Sequence, residues 1–121
     1  MRRYVSDVAQ LTEEYGIKIG RWSQYHDLGT LPFDAMWCVI PPGGKSSEDL
    51  HPEVEFAIVT KGTAVYESAG RKLEIPTGGV VLVDPEQPHV IHNLSADEPL
   101  TILSIYWLPA PQSDAMAAAD E

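Results

Sequence analysis

The sequence predicts an all-β fold, a single small barrel preceded by one short helix. Three observations carry this. From Ile17 onward apolar residues lose helical spacing and fall into short alternating or continuous runs. Clusters of Gly, Pro, Asn and Asp separate those runs. The 121 residues suffice for one core but not for two ordinary domains.

The expected helix comes first, with Ser6 as N-cap, Val8, Leu11 and Tyr15 at helical spacing, and Gly16 just past its end. Strands are expected near 17–25, 34–40, 54–60, 63–68, 71–75, 80–83, 89–93 and 100–107. Between them lie turn signals such as Pro41-Pro42-Gly43-Gly44, Ala69-Gly70, Pro76-Thr77-Gly78-Gly79 and Asp84-Pro85-Glu86-Gln87-Pro88. Closure of eight short strands into a barrel removes exposed sheet edges and leaves a mouth for inward side chains. The tail 109–121 has nothing β-branched or aromatic to bury and is expected to be disordered, which puts the domain at 1–108.

Composition excludes some classes of function. Hydrophobic residues make up 44% and charged residues 21%, as in ordinary globular chains. With 18 acidic and 8 basic side chains the formal charge is −10, so nucleic acid is repelled and is not an expected partner. No run approaches the ~18–20 apolar residues of a membrane helix, so no membrane partner is expected, and no hydrophobic signal segment follows the N-terminus. A lone cysteine, Cys38, set in Ala35-Met36-Trp37-Cys38-Val39-Ile40, reads as a packed core thiol and, with the missing signal, suggests the cytoplasm.

Two stretches carry chemistry. The first is Gly43, five residues, Asp49-Leu50-His51, three residues, Glu55, six residues, Gly62; the second is Gly78, five residues, Asp84, one, Glu86, two, His89, three, Asn93. Their order and spacing resemble the two signature motifs of the cupin superfamily, G-x5-H-x-H-x3-4-E-x6-G and G-x5-P-x-G-x2-H-x3-N. The resemblance spans residues 43–62 and 78–93 and implies a jelly-roll barrel, the double-stranded β-helix. It also implies one divalent metal ion, Fe(II), Mn(II), Zn(II) or Ni(II), held by His51, Glu55 and His89, with Asp49 at the position of the family's first histidine. Two imidazoles and a carboxylate suit such ions, and His51 and Glu55 can share one face of an extended segment.

The pattern is broken at three positions, Asp49 for histidine, Asp84 for proline and Glu86 for glycine. Aspartate is shorter than histidine, so Asp49 is either a ligand, hardening the site toward Mn(II) or Fe(II), or a neighbour that orients His51 or a water. The second is slightly favoured. Alternation sends His92 to the face opposite His89, outside the barrel, and leaves His26 in a loop. Ala57, Val59 and Ile91 share the inward face, and Trp37, Tyr66 and Tyr106 are candidate aromatic walls. No proton carrier is identifiable among Tyr66, Tyr106 and Glu53.

The resemblance leaves the activity open, because the same fold hosts dioxygenases, isomerases, lyases, cyclases, decarboxylases and plain binding domains. The preferred expectation is a metal-dependent enzyme on a small organic molecule, oxygenase-type chemistry first. The alternative is a non-catalytic domain that binds a small molecule as sensor or accessory. A homodimer is expected, with the segment Ile17 to Tyr25 and an exposed Trp22 as its contact.

Overall fold

The computed structural model describes residues 1–6 and 10–110 of the chain. Its regular structure is nearly all strand: β1 (Thr12–Glu14), β2 (Ile17–Arg21), β3 (Asp34–Ile40), β4 (Val54–Lys61), β5 (Ala64–Ser68), β6 (Arg71–Ile75), β7 (Val80–Val83), β8 (Val90–His92) and β9 (Leu100–Trp107). They pair antiparallel into a six-stranded sheet, β1-β2-β3-β9-β4-β7, and a three-stranded sheet, β6-β5-β8. The core between the sheets follows the period of two in each strand: Glu55, Ala57 and Val59 on β4, Leu100, Ile102 and Ser104 on β9, Cys38 and Ile40 on β3, Ala64 and Tyr66 on β5. The inward face is aliphatic at one end of β4 and β9 and polar at the other, where Glu55 and Ser104 meet.

The helix expected from Ser6 to Tyr15 does not form over Thr12–Glu14, which pairs with β2 in register Thr12↔Ile19, Glu13↔Lys18 and Glu14↔Ile17. The residues at 7–9, where that helix would have begun, lie outside the described residues. Gly16 was read as a helix stop because it tolerates positive φ. Here it does so beside Tyr15 (φ 75° and 56°) in a two-residue hairpin turn, the other structure that demands two such residues. Pairing with a neighbouring strand outweighs the weak helical preference of a short segment. The run expected as one strand over 17–25 ends at Arg21 and passes into a 3₁₀ turn, Trp22–Gln24. Trp22 is not exposed as expected; it is half-buried, with its ring centroid 6.1 Å from Trp37 and 6.4 Å from Tyr25. Apart from Pro109 and Ala110, which are irregular, the tail expected to be disordered lies outside the described residues.

Asn93, the last residue of the second motif, is a structural tie. It is 2% exposed, its Nδ2 donates to the carbonyls of Ile40 (3.1 Å), Pro41 (3.2 Å) and Glu98 (2.8 Å), and its Oδ1 accepts from Ser95 N–H (3.1 Å). The segment after β8 is thereby fastened to the end of β3 and to the chain entering β9 at the aliphatic end of the barrel. Cys38 is buried there as expected, and burial pushes its thiol up to about 12.

Candidate metal centre

Asp49 and His89 are brought face to face by an isolated antiparallel bridge in which Asp49 N–H donates to His89 O and His89 N–H to Asp49 O, both at 3.0 Å. Residues directly opposite in such a pair present their side chains to the same face. His51 then enters from a bend rather than from the extended run expected between it and Glu55, because residues 52–53 turn the chain before β4 begins. The bend still delivers the pair: His51 Nε2 lies 3.0 Å from Glu55 Oε1.

One donor atom each from Asp49, His51 and His89 lies within 4.8 Å of the other two. Glu55 is outside that mutual group but sits against both imidazoles, its Oε1 3.0 Å from His51 Nε2 and 3.9 Å from His89 Nε2. The two rings meet edge to face at 81°, centroids 5.2 Å apart. All four residues expected at the site are therefore neighbours. The backbone bridge to His89 carries Asp49 close enough to compensate for its short side chain. One of its oxygens, Oδ1, accepts Leu50 N–H at 2.9 Å.

Hydrogen bonding fixes which imidazole nitrogen is available. His51 Nδ1 faces the Glu53 carbonyl at 3.0 Å and His89 Nδ1 faces the Gln87 carbonyl at 2.9 Å. A carbonyl only accepts, so each Nδ1 carries hydrogen and donates, and in the neutral ring each Nε2 keeps its lone pair. That is the usual support for a metal-binding histidine. Glu55 is 6% exposed, and its Oε2 accepts a hydrogen bond from the Ser104 hydroxyl. Oε1 and the His51 Nε2 lone pair thus confront each other as two acceptors, a pairing that requires a proton or a cation between them. The donor set, two imidazole nitrogens and two carboxylates, fits a divalent first-row ion.

A cavity of about 260 Å³ opens beside this cluster, lined by Asp49, His51, Glu53, Glu55, Arg21 and Tyr106 among others. Tyr106 is there because it lies opposite Glu55 in the β4–β9 ladder. Burial, then the charge of Asp34, raises its hydroxyl above the ordinary phenol range, so at neutral pH it is a hydrogen-bond donor. Among the described residues Arg21 is the one cationic side chain on this wall, paired with Glu14. Its signal in the sequence was alternation, since Ile17, Ile19 and Arg21 share a face of β2. Ser104 follows Leu100 and Ile102 by the same rule.

Of the aromatic candidates, Tyr66 is inside the barrel and Tyr106 on the cavity wall. Trp37 faces outward, opposite Leu103, and donates from Nε1 to Tyr25 Oη at 2.8 Å. His92 points away from the site as expected, its Nε2 2.8 Å from Glu67 Oε1, and His26 is an exposed turn residue. Glu86 adopts φ 63°, the left-handed conformation for which the motif carries glycine, and its N–H donates to His51 O at 2.7 Å.

Comparison with known proteins agrees with this fold. The family model described as "Cupin domain" matches residues 36–106. A Cupin 2 conserved barrel domain protein from Salinispora arenicola is similar over 98% of both chains, with 28% identity and a TM-score of 0.81. The plu4264 protein from Photorhabdus luminescens also matches over 98% of both chains, at 22% identity and a TM-score of 0.79. A predicted oxalate decarboxylase from Thermotoga maritima matches at 20% identity and a TM-score of 0.66, over 88% of this chain and 100% of its own. Among the described residues no helix is long and apolar enough to cross a membrane.

Proposed function

Because the chain belongs to the cupin family, we propose that it is a divalent-metal-dependent enzyme acting on a small organic molecule, with oxygenase-type chemistry ahead of isomerase, lyase or cyclase chemistry. The observation that carries this is the pair of imidazoles whose Nδ1–H groups are spent on backbone carbonyls while their Nε2 atoms face one buried carboxylate, Glu55. His51, His89, Glu55 and Asp49 would hold the ion, with Fe(II) or Mn(II) favoured by the two carboxylates. When bound, the ion supplies Lewis acidity toward substrate oxygens and, as Fe(II), the capacity to activate dioxygen.

The chain's own residues do the rest. The 260 Å³ cavity is at the small end of ligand sites and admits a compact molecule. Its carboxylates repel anions, and Arg21 and the Tyr106 hydroxyl are the groups able to orient a substrate oxygen. Buried Ser104 holds Glu55 in one rotamer. The second reading, a non-catalytic domain that binds a ligand in the same cavity, is favoured by the absence of the family's first histidine at Asp49.

A homodimer belongs to the proposal, on a different face from the segment Ile17 to Tyr25. The outer surface of β7, β4 and β9 presents Val80, Leu82, Phe56, Ile58, Leu103 and Ile105 in register, with Val80, Leu82 and Phe56 exposed. A contiguous apolar surface of this kind is covered in most soluble proteins, and a second copy presents the same self-complementary patch.

Metal content after purification tests the site. Wild type carries close to one ion per chain, and His51→Ala and His89→Ala carry none; unchanged stoichiometry in His89→Ala refutes the assignment. Anaerobic titration of the Fe(II) protein with candidate substrates, followed by admission of air, separates the two functions: oxygen uptake supports the enzyme, and ligand binding without turnover supports the sensor.

A further inference from the structure

One polar group in the barrel has no use in the site so far described. Tyr66 is 4% exposed and points inward from β5, and its hydroxyl, fully enclosed, has no hydrogen-bond partner among the described residues. A buried hydroxyl left unpaired costs ~1–3 kcal/mol, and such groups in native structures mark a missing partner. The ring sits at the inner end of a second opening of about 80 Å³, lined by Tyr66, Leu73, Val81, Leu82, Val83 and His89.

This opening exists because of the strand order. β6 is the last strand of one sheet and β7 the last strand of the other, so although they are consecutive in sequence no ladder joins them. The seam is closed only by side chains. Exposed Leu73 and Leu82 form its lips, with buried Val81 and Val83 behind them. Of the polar side chains that share it, Arg71 is exposed to water at the outer end, Ser68 donates to Pro88 O and Gln87 Oε1 accepts Asp84 N–H. Tyr66 is the group left over. The 260 Å³ cavity shares no lining residue with this opening, yet each reaches the metal cluster, one at Asp49, His51 and Glu55 and the other at His89.

We propose that the β6–β7 seam is a separate entry route for dioxygen, ending at His89 and the Tyr66 hydroxyl, so that substrate occupies the mouth without blocking the gas. The inference rests on the oxygenase reading above. Aliphatic walls disfavour water and charged substrates and accept small apolar molecules. The single unpaired donor at the inner end suits a ligand with a weak acceptor. Burial, with the charges of Glu55 and Cys38, lifts the Tyr66 phenol well above its ordinary range, so it remains a donor at any working pH.

Two probes test this. Xenon is applied to the metal-free protein, in crystals under pressure or by ¹²⁹Xe NMR, with Leu73→Trp and Arg71→Trp as plugs; both positions line the opening, are exposed and lie on β6, away from the apolar face assigned to the dimer. Nitric oxide, as a dioxygen surrogate, is mixed with the anaerobic Fe(II) protein and followed by stopped-flow absorbance and EPR. The route predicts saturable xenon binding that the plugs abolish, and nitric oxide association slowed about tenfold by them, within the one to three decades over which variants of one site differ. Tyr66→Phe leaves xenon binding intact but speeds nitric oxide dissociation about fivefold, the worth of one hydrogen bond. An ordered water against Tyr66 that keeps xenon out, or association rates indifferent to both plugs, overturns the route while Fe(II) uptake preserves the metal reading. Xenon binding in a chain that takes up no Fe(II) overturns the metal reading and the dioxygen route together.

Discussion

Replacing Glu86 by glycine should make the protein more stable, although it removes a whole side chain. Glu86 stands third in the turn Asp84-Pro85-Glu86-Gln87, where φ is 63° and Gln87 N–H donates to Asp84 O at 3.2 Å. An L-residue in this conformation is strained by about 1–2 kcal/mol, and glycine, which is not, loses about 0.5–1 kcal/mol through its freer unfolded chain. The net gain for Glu86→Gly is about 0.5–1 kcal/mol, or roughly 2–4 °C in Tm for a chain of this size. Glu86→Ala keeps the strain and gains nothing. At an ordinary site alanine is the more stabilising of the two by about 0.4–1 kcal/mol, so at residue 86 the order of alanine and glycine is inverted. Urea unfolding followed by fluorescence of the three tryptophans measures both variants against wild type. An alanine variant as stable as the glycine variant, or more so, would show that the turn is not left-handed at this position. The outcome bears on the site, because the turn supplies the Gln87 carbonyl to His89 and the Glu86 N–H to the His51 carbonyl. Metal uptake by Glu86→Gly is expected to match wild type.

Asn93→Ala should lose about 2–4 kcal/mol in urea unfolding, since it abandons the buried carbonyl of Ile40 and the part-buried ones of Pro41 and Glu98; a loss under about 1 kcal/mol would mean those groups find water. The Cys38 thiol, raised to about 12, should resist thiol reagents at pH 8 in native protein and react fully in urea. Since its ordinary value is 9.0, the folded state holds a proton that the unfolded state releases, so its contribution is intact below pH 9 and is lost as pH rises from 9 toward 12. Ala69→Asn, in the Ala69-Gly70 hairpin turn with φ 51° and 80°, should raise Tm by a few degrees, asparagine being the better left-handed residue, with about 0.5 kcal/mol at stake. Phe56→Glu with Leu82→Glu should convert a dimer to a monomer by light scattering after size exclusion, and a wild type already monomeric counts against the apolar face as an interface.

The all-β reading and the strands from β3 to β9 were legible because each rests on a local signal. Period-two alternation in β4 and β8 placed Ala57, Val59 and Ile91 inside, and the turn residues marked the ends. β1 was not legible, since Thr12–Glu14 has no strand pattern of its own and extends only because β2 offers it a ladder. Likewise the pair Tyr15-Gly16 looks the same whether it stops a helix or turns a hairpin. His51, Glu55, His89 and Asp49 were found from motif spacing, but spacing could not say whether Asp49 reaches the cluster. The bridge pairing of Asp49 with His89 decides that, and it joins residues forty positions apart.

By itself, then, the order of residues determined which side chains alternate, where the chain turns and which four groups are candidates to meet, because these depend on neighbours along the chain. Only the tertiary structure decided which imidazole nitrogen is free, that Ser104 holds Glu55, that Arg21 and Tyr106 share the cavity wall, and that Tyr66 is left without a partner beside an unpaired seam. Each of those facts is a contact between strands brought together by sheet order, and a contact across a barrel has no signature in the spacing of residues along one strand.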